Sequence, residues 1–562
     1  MKKIGLIILL LIISVFVFGC EKKEDYSNEL AIRLSSISDV SNDNKEMVYY
    51  VKAPYTDKYK IESDGDEVKK ITLYDKGKVV SKDEEKIVVD LVKDEIYKLV
   101  VETNKPGDAF SIKTTAQKNR VVYPYDVVAD TSVEANITPG NEAEINYTKR
   151  SGGTYIYSNN PELVPSSSVD TVFIETKNLS GEVFFTFEHA NYTKEGFYLG
   201  YMLKNDGNSD VYITVTNIGY QVGGTWFGQK AWYNFYNTSF KLPEGYLNKA
   251  GGVADEYAGY DYAYSNYKPR NFQPTTYRLP AGEYMWVIGG TSKDAYNKIN
   301  VDQTADKKVS MNQCTNGNVK FEVVGGSVTA SFHCYRKPAN LLKNPKVVGY
   351  RVGAYAAQYV GTANHSGVID TNITWAFDDK TSGNLPVTYK TSYDVNAKKV
   401  TTPYTKYNNV EHTIHSKKWM TNLNPQNDPT AIGSDIVEFS CTDELGNEVV
   451  IDNYSSDGSG NPANTANWMI EYQEHYTFIN KGENDRTVYL YKKDGGTLAI
   501  LFRDSVTGEV LDTYYTIGQA SKVGYSLKYP ITVKANSTVQ ITLSYVLVAC
   551  SYGNVTHWVD LK

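Results

Sequence analysis

Val211-Tyr212-Ile213-Thr214-Val215-Thr216 sets an aliphatic side chain at every second position and a tyrosine or threonine between. A β-strand turns successive side chains to opposite faces, so a period of two predicts a half-buried strand. The same pattern returns near the end of the chain, where Val539, Ile541, Leu543 and Tyr545 alternate with Gln540, Thr542 and Ser544. Asn205-Asp206-Gly207-Asn208 and Asp494-Gly495-Gly496 stand between apolar runs. Asn, Asp and Gly tolerate positive φ, so these segments predict hairpin turns. Beyond residue 18 no stretch sustains a helical period. The expected fold class is all-β: serial antiparallel β-sandwich domains.

The chain has 562 residues, with 58 Lys and Arg against 65 Asp and Glu, a formal charge of -7. That length suits about three or four domains, each able to bury a core. Mild acidity argues against a nucleic-acid partner, which needs a basic stripe to displace counterions from phosphate. Composition breaks near residue 120. Residues 21–120 carry 19 basic and 21 acidic side chains, whereas residues 121–562 are poorer in charge and rich in Tyr, Asn, Thr, Ser and Gly. Such a shift marks a domain boundary. Asn159 to Ser168 forms a candidate linker, and a second break falls near Asn344-Pro345. Glu188-His189 and Glu474-His475 each precede a strand and turn, a faint sign of two related modules.

The N-terminus carries the strongest targeting signal. Met1-Lys2-Lys3 is positive, Ile4 to Phe18 is almost wholly apolar, and Val17-Phe18-Gly19-Cys20 leads at once into Glu21-Lys22-Lys23-Glu24-Asp25. The apolar run is short for a bilayer span and suits a signal-peptide h-region. The junction resembles the lipobox of bacterial lipoproteins. That resemblance implies cleavage before Cys20, lipid on its thiol, a membrane anchor and exposure of the remaining chain at the cell envelope, on the surface or the periplasmic face.

In the charged part, Val48 to Val51, Tyr59 to Ile61, Ile71 to Tyr74, Ile87 to Leu91 and Tyr97 to Val101 are candidate strands. Turns at Asp64-Gly65-Asp66 and Lys76-Gly77-Lys78 separate some of them. The order of Tyr59, Leu73-Tyr74, Leu91 and Tyr97 resembles the small β-sandwich of the pre-peptidase C-terminal type, which implies an accessory sandwich. The expected organisation is a signal peptide (1–19), a lipidated tether (20–44), a small charged β-sandwich (45–120), a Tyr-rich β-sandwich (121–345) and a C-terminal β-sandwich (346–562).

Four cysteines follow Cys20, and Cys314, Cys334, Cys441 and Cys550 are candidate disulfide partners in an exported chain. Cys314 and Cys334 flank a hairpin-like stretch turning at Gly325-Gly326, about three residues out of register for a bridge. A Cys441–Cys550 bridge would close a loop of about 110 residues. Free buried thiols are the alternative.

Catalytic and metal constellations are weak. His412-Thr413-Ile414-His415 lacks the glutamate of a metalloprotease helix, and on a strand its two imidazoles face opposite ways, so no metal site is expected. No cofactor is expected; the oxygen-rich stretch Asp452 to Asn461 is a candidate for Ca²⁺ but lacks the closing glutamate of an EF-hand. No G-x-S-x-G elbow or phosphate loop occurs.

The functional lead is aromatic. Tyr220 to Trp286 holds 18 aromatic residues in 67 positions, including Trp226-Phe227, Trp232-Tyr233, Phe235-Tyr236 and the row Tyr260, Tyr262, Tyr264. On a strand that row shares one face, a ladder of rings edged with hydroxyls, suited to stacking on sugar C–H faces or to protein recognition. The alternative is that the rings fill a core. The expected function is therefore an envelope-anchored lipoprotein that binds a glycan or a host or matrix protein, with Tyr260, Tyr262, Tyr264, Trp226 and Trp232 as ligand contacts. Against it stands a carbohydrate-active hydrolase or lyase whose carboxylates converge only in the fold.

Overall fold

Period-two patterning is realised throughout. The computed structural model describes residues 24–117, 126–128, 143–147, 154–158, 161–223, 229–240, 268–289, 308–336, 346–347, 368–385, 387–392, 411–416, 419–422, 434–435, 441–442, 448–449, 471–494, 498–505, 508, 510–516, 526–548 and 554–562. The protein is all-β in several sheets, with one short α-helix among the described residues. The signal-peptide segment with Cys20, the row Tyr260, Tyr262 and Tyr264, Trp226, Cys550 and the stretch 452–461 lie outside the described residues. The chain divides into two compact units, Met1–Lys118 and Asn119–Lys562.

Among its described residues the first unit forms nine strands: β1 (Ala31–Arg33), β2 (Ser36–Val40), β3 (Glu46–Lys52), β4 (Asp57–Ser63), β5 (Val68–Asp75), β6 (Lys78–Asp83), β7 (Lys86–Leu91), β8 (Ile96–Thr103) and β9 (Ala109–Gln117). One sheet runs β1-β3-β8-β5-β6, and another contains β2-β9-β4-β7. Tyr49, Val51, Ile71, Leu73, Leu99 and Val101 of the first sheet are buried, as are Tyr59, Ile61, Ile87, Phe110 and Ile112 of the second. The five candidate strands of the charged part fall within β3, β4, β5, β7 and β8. Lys76 and Gly77 take φ of 48° and 85°, the pair of positive values that a tight two-residue hairpin loop needs.

In the second unit a sheet is organised around two long strands, β11 (Thr171–Asn191) and β16 (Cys314–Tyr335), paired antiparallel along their length. β10 (Thr154–Ser158) lies parallel to β11. β12 (Tyr198–Lys204) pairs with one end of β16 and with β15 (Tyr284–Ile288), whereas β13 (Val211–Val222) pairs with the other end of β16 and with β14 (Thr275–Leu279). Phe185, Phe187, Tyr201, Ile213, Phe321 and Phe332 meet in one buried cluster.

Gly325-Gly326 is therefore not a hairpin turn, which corrects the sequence expectation. It sits inside β16, where the register against β11 shifts between Leu179 and Gly181. Gly325 takes φ 93°, Gly181 φ 67° and Asn178 φ 59°, so both strands bend at this corner. Positive φ serves a corner bulge as well as a turn. Cys314 and Cys334 consequently lie at opposite ends of one strand, opposite Ala190 and Thr171, and both are buried free thiols. No bridge joins them, because about 20 steps of extended chain separate them.

A further set of strands comprises β17 (Val368–Phe377), β18 (Glu471–Asn480), β19 (Arg486–Asp494), β20 (Leu498–Asp504), β21 (Val510–Thr516), β22 (Ser526–Val533), β23 (Ser537–Leu547) and β24 (Asn554–Leu561). One sheet includes β17-β18-β23-β20-β21 and another β22-β19-β24. β17 and β18 run parallel over ten residues, so the sheets are mixed rather than purely antiparallel. Ala143–Tyr147 pairs with β17, and Asp126–Val128 pairs with β22. The chain thus contributes to these sheets before it forms β10 to β16, and returns to them afterwards.

The first expected hairpin turn, Asn205-Asp206-Gly207-Asn208, is a crossover too, and Gly495-Gly496 of the second lie outside the described residues. Among the described residues β12 does not pair with β13, nor β19 with β20; each of these strands has other partners. At the first, Asn205 donates through Nδ2 to Ser209 O (2.8 Å) and Leu279 O (2.9 Å), and its Oδ1 accepts from Gly207 N (2.9 Å). Between β18 and β19, Asn480 donates to Asn484 O (2.8 Å) and Val533 O (3.2 Å), and its Oδ1 accepts from Gly482 N (2.9 Å). β12–β15 corresponds to β18–β23, β13–β14 to β19–β22, and β13–β16 to β19–β24. The parts of the chain that share these pairings, β10–β16 and β17–β24, are termed the first and second module; they differ in that β12 pairs antiparallel with β16, whereas β18 pairs parallel with β17.

Candidate functional site

The aromatic segment begins at α1 (Gln229–Phe235), which lies against β13 at Gly219. A Cβ at Gly219 would stand 1.8 Å from the Ala231 carbonyl oxygen, so only glycine admits the helix there. Asn217 Nδ2 donates to Phe235 O (2.9 Å), and Lys230 N donates to Gln221 Oε1 (2.8 Å). Trp232 stacks on Tyr236 at 5.8 Å, Tyr233 on Phe240 at 5.2 Å, and Phe235 meets Phe184 at 5.5 Å. All five residues from Trp232 to Phe240 in these pairs are buried, Trp232 to 1%. Trp232 is thus core, not a ligand contact, because the helix turns it inward. Tyr236 O–H is pushed well up by burial, with Glu471 and Arg503 as its charged neighbours. Thr513 Oγ1 donates to Ser239 O (2.8 Å), so this cluster joins the two modules.

Beyond Phe240 the chain runs through residues 241–267, with six tyrosines, before the described residues resume at Lys268. Both flanks are held together. Arg270 N donates to Asn234 Oδ1 (3.2 Å), and Asn237 Nδ2 donates to Phe272 O (3.2 Å).

Beneath the other face of the β11–β16 sheet lies a serine–histidine pair. Ser158 Oγ is 3.2 Å from His189 Nε2, and His189 Nδ1 is 2.8 Å from Pro161 O. A carbonyl can only accept, so Nδ1 carries the proton and Nε2 accepts from Ser158. This is the spacing of a nucleophile and its base. Both residues are 0% exposed, however, and Phe173, Phe187 and Phe332 surround the imidazole. Burial lowers its pKa to about 4, and no substrate reaches it. Ser331 Oγ and His333 Nε2, 2.8 Å apart, repeat the arrangement under the edge of Trp286, and burial again lowers His333 to about 4. These are core histidines, not catalytic dyads: His189 engages both ring nitrogens, whereas His333 engages Nε2 alone and its Nδ1 is buried without a partner.

Cys314 is pushed up to about 11, by burial first and then by the nearby Glu188 and Glu162 carboxylates. Burial pushes Cys334 well up as well. Neither thiol is a nucleophile at neutral pH. Cys441 belongs to a short strand paired with Glu448–Val449. Asn191, in the sequon Asn191-Tyr192-Thr193, is 1% exposed and donates to Val309 O (2.7 Å), so it offers no acceptor for a glycan. In the second module Glu474 is buried and accepts from Tyr545 O–H (3.0 Å) and from Tyr476 O–H, a carboxylate given over to the core. His412 and His415 occupy strand positions opposite Thr391 and Thr388, three residues apart. Among the described residues, no group of three His, Cys, Asp or Glu converges to hold a metal.

Compared with known proteins, the chain matches no family model and no curated protein sequence.

Proposed function

We propose that this protein is an envelope-anchored binding lipoprotein, lipidated on Cys20, that presents residues 241–267 of its first module to a glycan or a protein ligand. The supporting observation is the clamp at the flanks of that segment. Asn234, Asn237, Arg270 and Phe272 hold the two ends together beside a rigid aromatic core, so the connection between α1 and β14 leaves and returns at one place. Recognition loops are commonly carried this way on a stable scaffold. Core packing already accounts for Trp232, Tyr233, Phe235 and Tyr236, which leaves Tyr260, Tyr262 and Tyr264 as the ligand-directed part of the aromatic segment. The apolar run before Gly19-Cys20 supports the anchor.

Tyr262→Ala separates this reading from a packing role. A stacking anchor loses about 2 kcal/mol of binding, roughly thirtyfold in affinity on a glycan array or against a matrix protein, with an unchanged melting temperature. A core ring instead costs about 3–5 kcal/mol of stability on truncation. A large fall in melting temperature overturns the ligand assignment. The anchor is tested by Cys20→Ala, which should release the protein from membranes or leave its leader uncleaved.

A further inference from the structure

β7 ends its sheet: among the described residues its ladder partner is β4 alone. Its sequence is Lys86-Ile87-Val88-Val89-Asp90-Leu91, and it alternates without a bulge. Ile87, Val89 and Leu91 are buried, whereas Lys86, Val88 and Asp90 are exposed, Val88 to 48%. The main chain alternates in step. Ser63 lies one place beyond the Glu62–Lys86 pair, and its N–H donates to Glu85 O at 2.8 Å. Residues 85, 87, 89 and 91 therefore direct their main-chain groups to β4, and residues 86, 88 and 90 direct theirs to the open edge. Lys86 N–H accordingly bonds the local Asp83 Oδ1, at 3.2 Å, rather than β4.

We propose that β7 pairs antiparallel with β7 of a second copy of this chain, about a two-fold axis through Val88. In that register Val88 opposes Val88, and both present outward main-chain groups, as a hydrogen-bonded pair requires. Lys86 of each copy opposes Asp90 of the other. Sliding by one step either way opposes a charged residue to Val88 and leaves the charges unpaired; centring on Lys86 or Asp90 opposes like charges. The exposed face then carries an alternating row, because Glu62 already lies opposite Lys86, and Lys58 Nζ is 4.0 Å from Asp90 Oδ1. On the buried face Ile87 meets Val89, extending the apolar layer across the axis. Of the other sheet's two edge strands, β1 has only three residues, and β6 is built differently from β7. Its pairing with β5 shifts between Leu73 and Tyr74, leaving Val80 as an extra residue that disrupts a regular edge.

The test is the mass of the full-length chain in mild detergent, by light scattering after size exclusion. The expected species is a dimer that dissociates on dilution. Lys86→Glu should raise its dissociation constant about tenfold or more, and adding Asp90→Lys should restore it, since the reversed charges again face each other. Val88→Cys should yield a disulfide-linked dimer on mild oxidation, with opposed Cα atoms about 5.5 Å apart. Val48→Cys, at an exposed valine of β3, should not. A wild-type chain that stays monomeric at every concentration overturns the proposal, as does a dimer indifferent to Lys86→Glu that gives no Val88→Cys crosslink.

Discussion

Asn205 and Asn480 tie the same joint in two parts of the chain, and what surrounds them differs. Each asparagine closes its own crossover loop onto a glycine two residues on and binds the carbonyl that ends the neighbouring strand, Leu279 or Val533. Each loop also carries an acidic side chain bridged to a basic one near the end of the neighbouring strand, Asp210 to Arg278 within β14 at 3.0 Å and Asp485 to Lys534 just after β22 at 2.7 Å. The interiors diverge. The first module buries His189, His333 and a helix seated on Gly219; the second buries Glu474 between two tyrosine hydroxyls and puts the β20–β21 hairpin where the first has α1 and the tyrosine-rich connection. The joint sets the architecture, and the connection between its third and second strands is free to vary.

Acid should break the comparison most strongly. His189 and His333 have folded pKa values near 4 against 6.5 for a free imidazole. Between those values the unfolded chain binds protons that the folded module refuses, so stability falls as pH drops from about 6.5 toward 4. Each histidine then removes on the order of 3 kcal/mol at the low end of that window. Hydrogen exchange or limited proteolysis against pH should show β11 and β16 opening before β18 and β23. Simultaneous opening of both modules would contradict the assignment.

Gly219→Val probes the helix seat alone. Its side chain would strike the Ala231 carbonyl and the Phe235 amide, so the helix must lift or the strand must shift. Overpacking of this kind costs about 1–3 kcal/mol or more. Urea unfolding should register that loss in the first module, with the second unchanged. Asn205→Ala and Asn480→Ala sharpen the likeness instead. Each deletes a buried amide and orphans the carbonyls and the glycine amide it served, at about 1–3 kcal/mol. The two losses should agree within the scatter of such measurements; a large loss at one site with none at the other would deny the common joint.

Much of this was legible in the alternation itself. Val211 to Thr216 and Val539 to Tyr545 form strands because their aliphatic side chains recur at the period of the pleat, a purely local property. Thr214 shows where locality ends. By pattern it belongs to the solvent side, yet it is fully buried, paired through its hydroxyl with Thr276 at 2.8 Å. Glu188-His189 and Glu474-His475 lie on strands that do not correspond, β11 and β18, whereas the recurring signature, Asn-x-Gly in the crossover loops, acquires its meaning only from the carbonyls it reaches far along the chain.

The sequence by itself determined the all-β character, the charged first unit and its turns at Gly65 and at Lys76-Gly77, since pleat period, charge density and positive-φ residues act over a few residues. Tertiary structure alone decided that Gly325-Gly326 bends a strand instead of reversing it, because the stretches on both sides of it, up to Val323 and from Val328, pair with the same distant strand, β11. It decided as well that Trp232 is core and that Ser158 and His189 are sealed from substrate. Burial is a property of what packs on top of a residue, and in this protein the covering strands and helix come from distant stretches of chain.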